Sequence, residues 1–180
     1  TTLRVATDLG YDSYGNESTV TLTPVGQPER VTSLNWGADG RFLRDTTNAE
    51  GHVVRTAWDP ALARPVSVTD ANGLVTTLQH DEFGREARST RPDGTGVVTV
   101  RTMCGSDCAW PEARLVVNQS ARGAGDLQLA FVETGYDQYG REVHVRADQP
   151  GGAQVLSARR FDASGLVTQQ SSPSACCASP

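Results

Sequence analysis

The chain contains no lysine; its sixteen basic residues are all arginine, which gene base composition explains better than chemistry. With a net charge of −5 and no basic cluster, nucleic acid is excluded as the expected partner. Aromatic residues make up only 6% and methionine occurs once, an unusual composition for a compact enzyme. No apolar run approaches the ~20 residues that a membrane-spanning helix needs, so no membrane insertion is expected of this segment. There is no signal peptide, and Thr1-Thr2-Leu3-Arg4-Val5 reads as mid-strand, so the expectation is a piece of a longer polypeptide. Also missing are a nucleophile elbow, the alternating acidic spacing of a calcium loop, and any C-x-x-C pair. No cofactor, metal site or catalytic residue is therefore assigned, and the chain is not expected to be an enzyme.

What the chain does have is glycine and proline, 18 and 9 residues, with Thr, Val and Ser crowding the segments between them. That is the composition of short strands joined by tight turns. One unit recurs. Tyr136-Asp137-Gln138-Tyr139-Gly140-Arg141 opens with an aromatic-Asp pair, turns at a glycine and leaves along an alternating strand. The unit returns at Tyr11-Asp12 with Gly15, His80-Asp81 with Gly84-Arg85, and Phe161-Asp162 with Gly165. Worn copies lie at Trp58-Asp59 and at Trp36 with Gly40-Arg41. The leading residues at 11, 36, 58, 80, 136 and 161 are separated by 25, 22, 22, 56 and 25 residues. A period of 22–25 residues holds two short strands and two turns. The gap of 56 is two periods plus an insertion, at about residues 95–130, that contains the Cys104–Cys108 loop.

In the Asp-x-x-Gly turns, the aspartate is expected to accept hydrogen bonds from N–H groups two or three residues on. The glycine supplies the positive φ of a type I turn with a bulge. A second set of turns, including Asn48 to Gly51, Asp70 to Gly73 and Pro92-Asp93-Gly94, alternates with the first. In Arg141–Arg146 the two valines share one face and charged or polar residues the other, the pattern of a sheet with one apolar and one wetter face. Pro60 to Arg64 reads as a turn rather than a helix. The chain is thus expected to be all-β and antiparallel. It reads as one repeat segment over residues 1–173 with no internal boundary, followed by a tail at 174–180 that is expected to be disordered.

This pattern resembles the RHS or YD repeat, whose unit is roughly Tyr-Asp-x-x-Gly-Arg followed by a strand and a turn rich in Asp, Pro and Gly. The best matches are Tyr136 to Arg141, and His80 to Arg85 with the following Thr90-Arg91-Pro92-Asp93-Gly94. Trp36 lacks its Asp, Trp58-Asp59 lacks its Gly, and Gly165 is followed by Leu166 instead of Arg. The resemblance implies an extended, curved antiparallel sheet of repeated β-hairpins, part of a shell that encapsulates or presents a toxin or effector of the same polypeptide. Its partners would be the remaining shell and that C-terminal passenger, and its location secreted or at the bacterial cell surface. The family's autoproteolytic segment has no match here. The alternative is an extracellular module that binds carbohydrate or a cell-surface protein. Open strand edges lead to an expectation of edge-to-edge self-association.

Three further features stand outside the repeat or compete with it. Cys104 and Cys108 could close a small disulfide loop, and a local disulfide or free thiols are favoured over a zinc site. His52, His80 and His144 sit at different phases of different repeats, so packing is favoured for them over catalysis. Trp36 and Trp58 occupy the repeat's own aromatic position, which leaves Trp110 as the candidate surface contact.

Overall fold

Runs such as Val66-Ser67-Val68-Thr69 have no helical periodicity, and turn-forming glycines interrupt them every few residues, so the chain builds strands, with a single 3-10 turn at Ala124–Asp126 among the described residues. A computed structural model describes residues 5–105, 110–149 and 152–176. Cys108 and Cys177 lie outside the described residues. The chain is all-β, and every strand pair named below is antiparallel.

Where the sequence shows no boundary, the fold divides into two units, Thr1–Arg85 and Glu86–Pro180. The first contains β1 (Val5–Tyr11), β2 (Glu17–Pro24), β3 (Arg30–Asn35), β4 (Asp45–Thr47), β5 (Val53–Asp59), β6 (Arg64–Thr69) and β7 (Val75–His80). The second contains β8 (Glu86–Thr90), β9 (Gly96–Met103), β10 (Leu115–Arg122), β11 (Gln128–Tyr136), β12 (Glu142–Asp148), β13 (Gln154–Phe161), β14 (Val167–Gln170) and β15 (Ser174–Cys176). Within each unit the strands pair in sequence order as a meander, except that β15 pairs with β13. Of the expected insertion at about 95–130, Gly96–Met103 and Leu115–Arg122 are the meander strands β9 and β10, and β11 begins at Gln128. Pro60 to Ala63 form a turn, as their sequence implies.

The tail differs from expectation at Ser174–Cys176, which pair with Leu156, Val155 and Gln154 of β13. Upstream on the same edge, β14 pairs with Arg159, Arg160 and Phe161. Ser171 bridges the two short strands: its N–H donates to the Ala158 carbonyl (2.9 Å), and its Oγ accepts from the Ala158 N–H (2.8 Å). Pro173 follows in the break, where a missing N–H does no harm.

Register assigns the faces, because directly paired residues share one. In the first unit Leu9, Val20, Leu22, Leu34, Val54 and Val68 fall together, through the pairs Leu9–Val20, Leu34–Thr46, Thr46–Val54 and Thr56–Val68. Among the described residues of that face, Leu9, Leu22 and Val54 remain 44%, 37% and 40% exposed. Among the described residues the buried hydrophobics are Phe42, Ala113, Val116 and Val143. Phe42 stacks on Trp58, with ring centres 5.2 Å apart. The other three form a cluster in the second unit, against which Cys104, Trp110 and Phe161 pack.

Candidate functional site

The repeated turn is one construction reused. In each full copy the aspartate Oδ1 accepts two N–H groups, from residues two and four positions on. The donors are Tyr14 and Asn16 for Asp12, Phe83 and Arg85 for Asp81, Tyr139 and Arg141 for Asp137, and Ser164 and Leu166 for Asp162. The sequence pattern predicts donors two or three positions on. The difference arises because the glycine N–H at the third position is taken by the aspartate's own carbonyl, at 2.9–3.2 Å in the four copies. Gly15, Gly84, Gly140 and Gly165 all have φ between 71° and 86°, as that closure requires.

The aromatic before each aspartate marks a register shift. Tyr11, Trp58, Tyr136 and Phe161 each sit where the facing strand carries one extra residue, respectively Ser18, Val66, Val143 and Thr168. A bulge bends and twists the strand locally, so the motif fixes sheet geometry as well as the turn. The worn copies keep part of the construction. Asp59 Oδ1 accepts from the N–H groups of Ala61 and Leu62. Trp58 donates to the Leu43 carbonyl (2.8 Å), and Trp36 to the Glu17 carbonyl (2.7 Å). Tyr14 lies across the α-carbon of Gly40, where no larger residue fits, and donates to the Ala38 carbonyl. His80 is half-buried at the end of β7.

The arginine that ends the motif clamps the turn from outside. Arg85 Nε donates to Asp81 Oδ2 (2.7 Å), and its guanidinium lies 4.9 Å from the centre of the Phe83 ring. Arg141 does the same with Asp137 (2.7 Å) and Tyr139 (4.9 Å), and also covers Phe161 of the next copy at 4.5 Å. Burial pushes the Asp137 carboxyl up. The hydrogen bonds from the Arg141 backbone and guanidinium and from the Tyr139 N–H outweigh that push and hold it below the usual 3.8. Asp81 is likewise lowered, its own desolvation overcome by bonds from Arg85 and Phe83.

A second constellation was not singled out by the sequence. His144 is only 2% exposed. Glu133 lies at its centre: Oε1 accepts from Trp110 Nε1 (3.2 Å) and stands 3.4 Å from His144 Nε2, while Oε2 accepts from Arg146 (3.0 Å). The His144 contact is at ion-pair distance but lacks hydrogen-bond geometry. Trp110 stacks on the His144 ring with centres 4.3 Å apart. Burial drives the imidazole below its usual 6.5, against the upward pull of Glu133, so it is neutral at pH 7. The expectation of Trp110 as a surface contact thus meets a half-buried indole engaged on its N–H and in a ring stack. Cys104 is disulfide-bonded; Cys108, the expected partner, lies outside the described residues.

Beside this cluster, the 110–114 segment and the Asp137–Arg141 turn frame a cleft of about 450 Å³ lined by Glu112, Arg114, Tyr139, Arg141, Arg160 and Phe161, among others. Among the described residues no group of His, Cys, Asp and Glu is arranged to hold a metal ion, and no helix is long and apolar enough to cross a membrane.

Residues 64–95 match the RHS repeat family. Among solved structures, the chain is similar to one in the Photorhabdus luminescens Tc holotoxin pore, with 10% identity and a TM-score of 0.43. That similarity covers 92% of this chain and 12% of the other, so the present chain spans about an eighth of its length. Among curated proteins, none matches this chain.

Proposed function

We propose, from the premise that this is an RHS-repeat chain, that it is a structural strip of a β-shell whose role is to enclose or present another part of the same polypeptide. The carrying observation is the recurrence of one Asp-anchored turn with one bulge at Tyr11, Tyr136 and Phe161. A unit that repeats both turn and bend adds strands in a constant geometry, as repeat proteins do when each unit packs on its neighbours. Such a sheet functions by covering. In the first unit the exposed Leu9, Leu22 and Val54 are a surface that another segment can occupy. The disulfide-bonded Cys104 fits an oxidising compartment and hence secretion or the cell surface.

The test uses the natural polypeptide that contains this chain, with a photo-cross-linking residue at Leu22 or Val54 on one face, or at Thr21 or Arg55 on the other. Cross-links from one face only, to a segment outside residues 1–180, are expected. Cross-links from neither face, or equally from both, overturn the proposal.

A further inference from the structure

The cleft between the 110–114 segment and the Asp137 turn is not explained by a role in covering. Three arginines reach it, Arg114, Arg141 and Arg160, against two acids, Glu112 and Asp137. Arg141 is committed: Asp137 holds its guanidinium at 2.7 Å, and the rings of Tyr139 and Phe161 cover its faces. Arg160 meets Glu112 at 3.3 Å between two largely exposed side chains, a contact of little energetic weight. The Arg114 guanidinium is held by the carbonyls of Pro111 and Ala113, at 3.0 and 2.9 Å. Two neutral carbonyls orient its planar fork without cancelling its charge. The lining therefore carries one positive charge in excess, in a chain of net charge −5.

From this geometry we infer that the cleft is a binding site for a single carboxylate, held by Arg114 and Arg160, with an attached apolar portion against Pro111, Val143 and Phe161. A guanidinium fork matches a carboxylate in two parallel hydrogen bonds, and a preoriented fork loses less freedom in making them. One excess charge suits a monoanion. A phosphate dianion would be overcompensated beside Glu112 and Asp137. A volume of about 450 Å³ accepts an acidic side chain with its flanking backbone, or a small organic acid. Glu112 and Arg114, which precede β10, stand over the motif turn here, and a copy of the repeat without that segment lacks these two lining residues.

The experiment titrates the isotope-labelled 180-residue chain with N-acetylglutamate N-methylamide, butyrate and inorganic phosphate, following amide shifts at Arg114, Tyr139 and Arg160. Saturable shifts with either carboxylate, and weaker ones with phosphate, are expected. Preference for the glutamate derivative would indicate a peptide as the source, and preference for butyrate a free organic acid. Arg160→Gln, at an exposed side chain, should weaken binding about tenfold, the usual loss for one charge-assisted hydrogen bond. Arg114→Gln should abolish it. Phosphate binding as tight as carboxylate binding, no saturation with either acid, or an affinity unchanged in Arg160→Gln overturns the inference.

Discussion

His144 and Gly135 are direct partners across β11 and β12, and the imidazole edge lies on the glycine α-carbon. A β-carbon built at Gly135 would stand 2.0 Å from His144 Cε1 and 2.3 Å from Nδ1. Gly135→Ala should therefore cost about 3 kcal/mol, the upper end for overpacking, because the ring is hemmed in by Trp110 as well. Chemical denaturation of Gly135→Ala, His144→Ala and the double variant measures this. The double variant should recover much of the loss suffered by Gly135→Ala, since the clash disappears with the ring. Strict additivity would contradict the contact.

Mild acid should weaken the fold through His144. An unfolded histidine binds its proton near pH 6.5, whereas buried His144 binds it at lower pH. Between those two values the unfolded chain holds the extra proton, so stability falls as pH drops below 6.5. His144→Asn should flatten that limb of the pH–stability curve. An unchanged slope between pH 6.5 and 5 would refute the assignment.

The same alternation that reveals β12 conceals His144. Read along the strand, Val143 and Val145 belong to one face and His144 to the other, the wetter one. Two events outside that local pattern change the outcome. The register shift at Tyr136 leaves Val143 as the extra residue, so both Val143 and His144 are buried and both line a pocket with Trp110. The covering Trp110 comes from a connection outside the repeat. By contrast, the turns were legible because their chemistry is local: Asp137, Gly140 and Arg141 act on one another within five residues. The division at Arg85/Glu86 falls inside the stretch that matches the RHS repeat, residues 64–95, where composition does not change.

Asp137→Ala should destabilise by roughly 2 kcal/mol, since it leaves the Arg141 guanidinium without its partner and the Tyr139 and Arg141 N–H groups without acceptors. Its carboxylate titrates below 3.8 in the fold, so its contribution is present above the unfolded value and disappears as pH falls through the folded one. Asp137→Asn should accordingly show a shallower acid limb below about pH 4. Urea titrations at pH 7 and pH 3 measure both effects, and equal losses at the two pH values would exclude this account.

Glu133→Gln should loosen Trp110. The substitution keeps the side chain's shape but removes the charge that Arg146 meets at 3.0 Å, for an expected cost of about 2 kcal/mol. Fluorescence quenching of Trp110, in a Trp36→Phe, Trp58→Phe background, should rise. Quenching equal to that of the parent would show that Glu133 does not hold the indole.

Among the described residues β1 pairs with β2 alone, and its seven residues contain no proline or lysine to guard the other edge. The isolated chain should associate as concentration rises, and Leu9→Lys should shift it towards monomer. Sedimentation velocity gives the answer, and a parent chain that stays monomeric at high concentration would contradict the expectation.

The register shifts have a genetic consequence. Ser18, Val66, Val143 and Thr168 act as phase marks, each adding one residue to the strand that returns from a motif turn. Deleting any one of them would leave composition and turn chemistry almost intact, yet exchange the two faces of everything downstream in that strand. Length variation among chains of this kind should therefore collect in connections such as the one between β9 and β10, and spare these four positions, whatever side chain stands there.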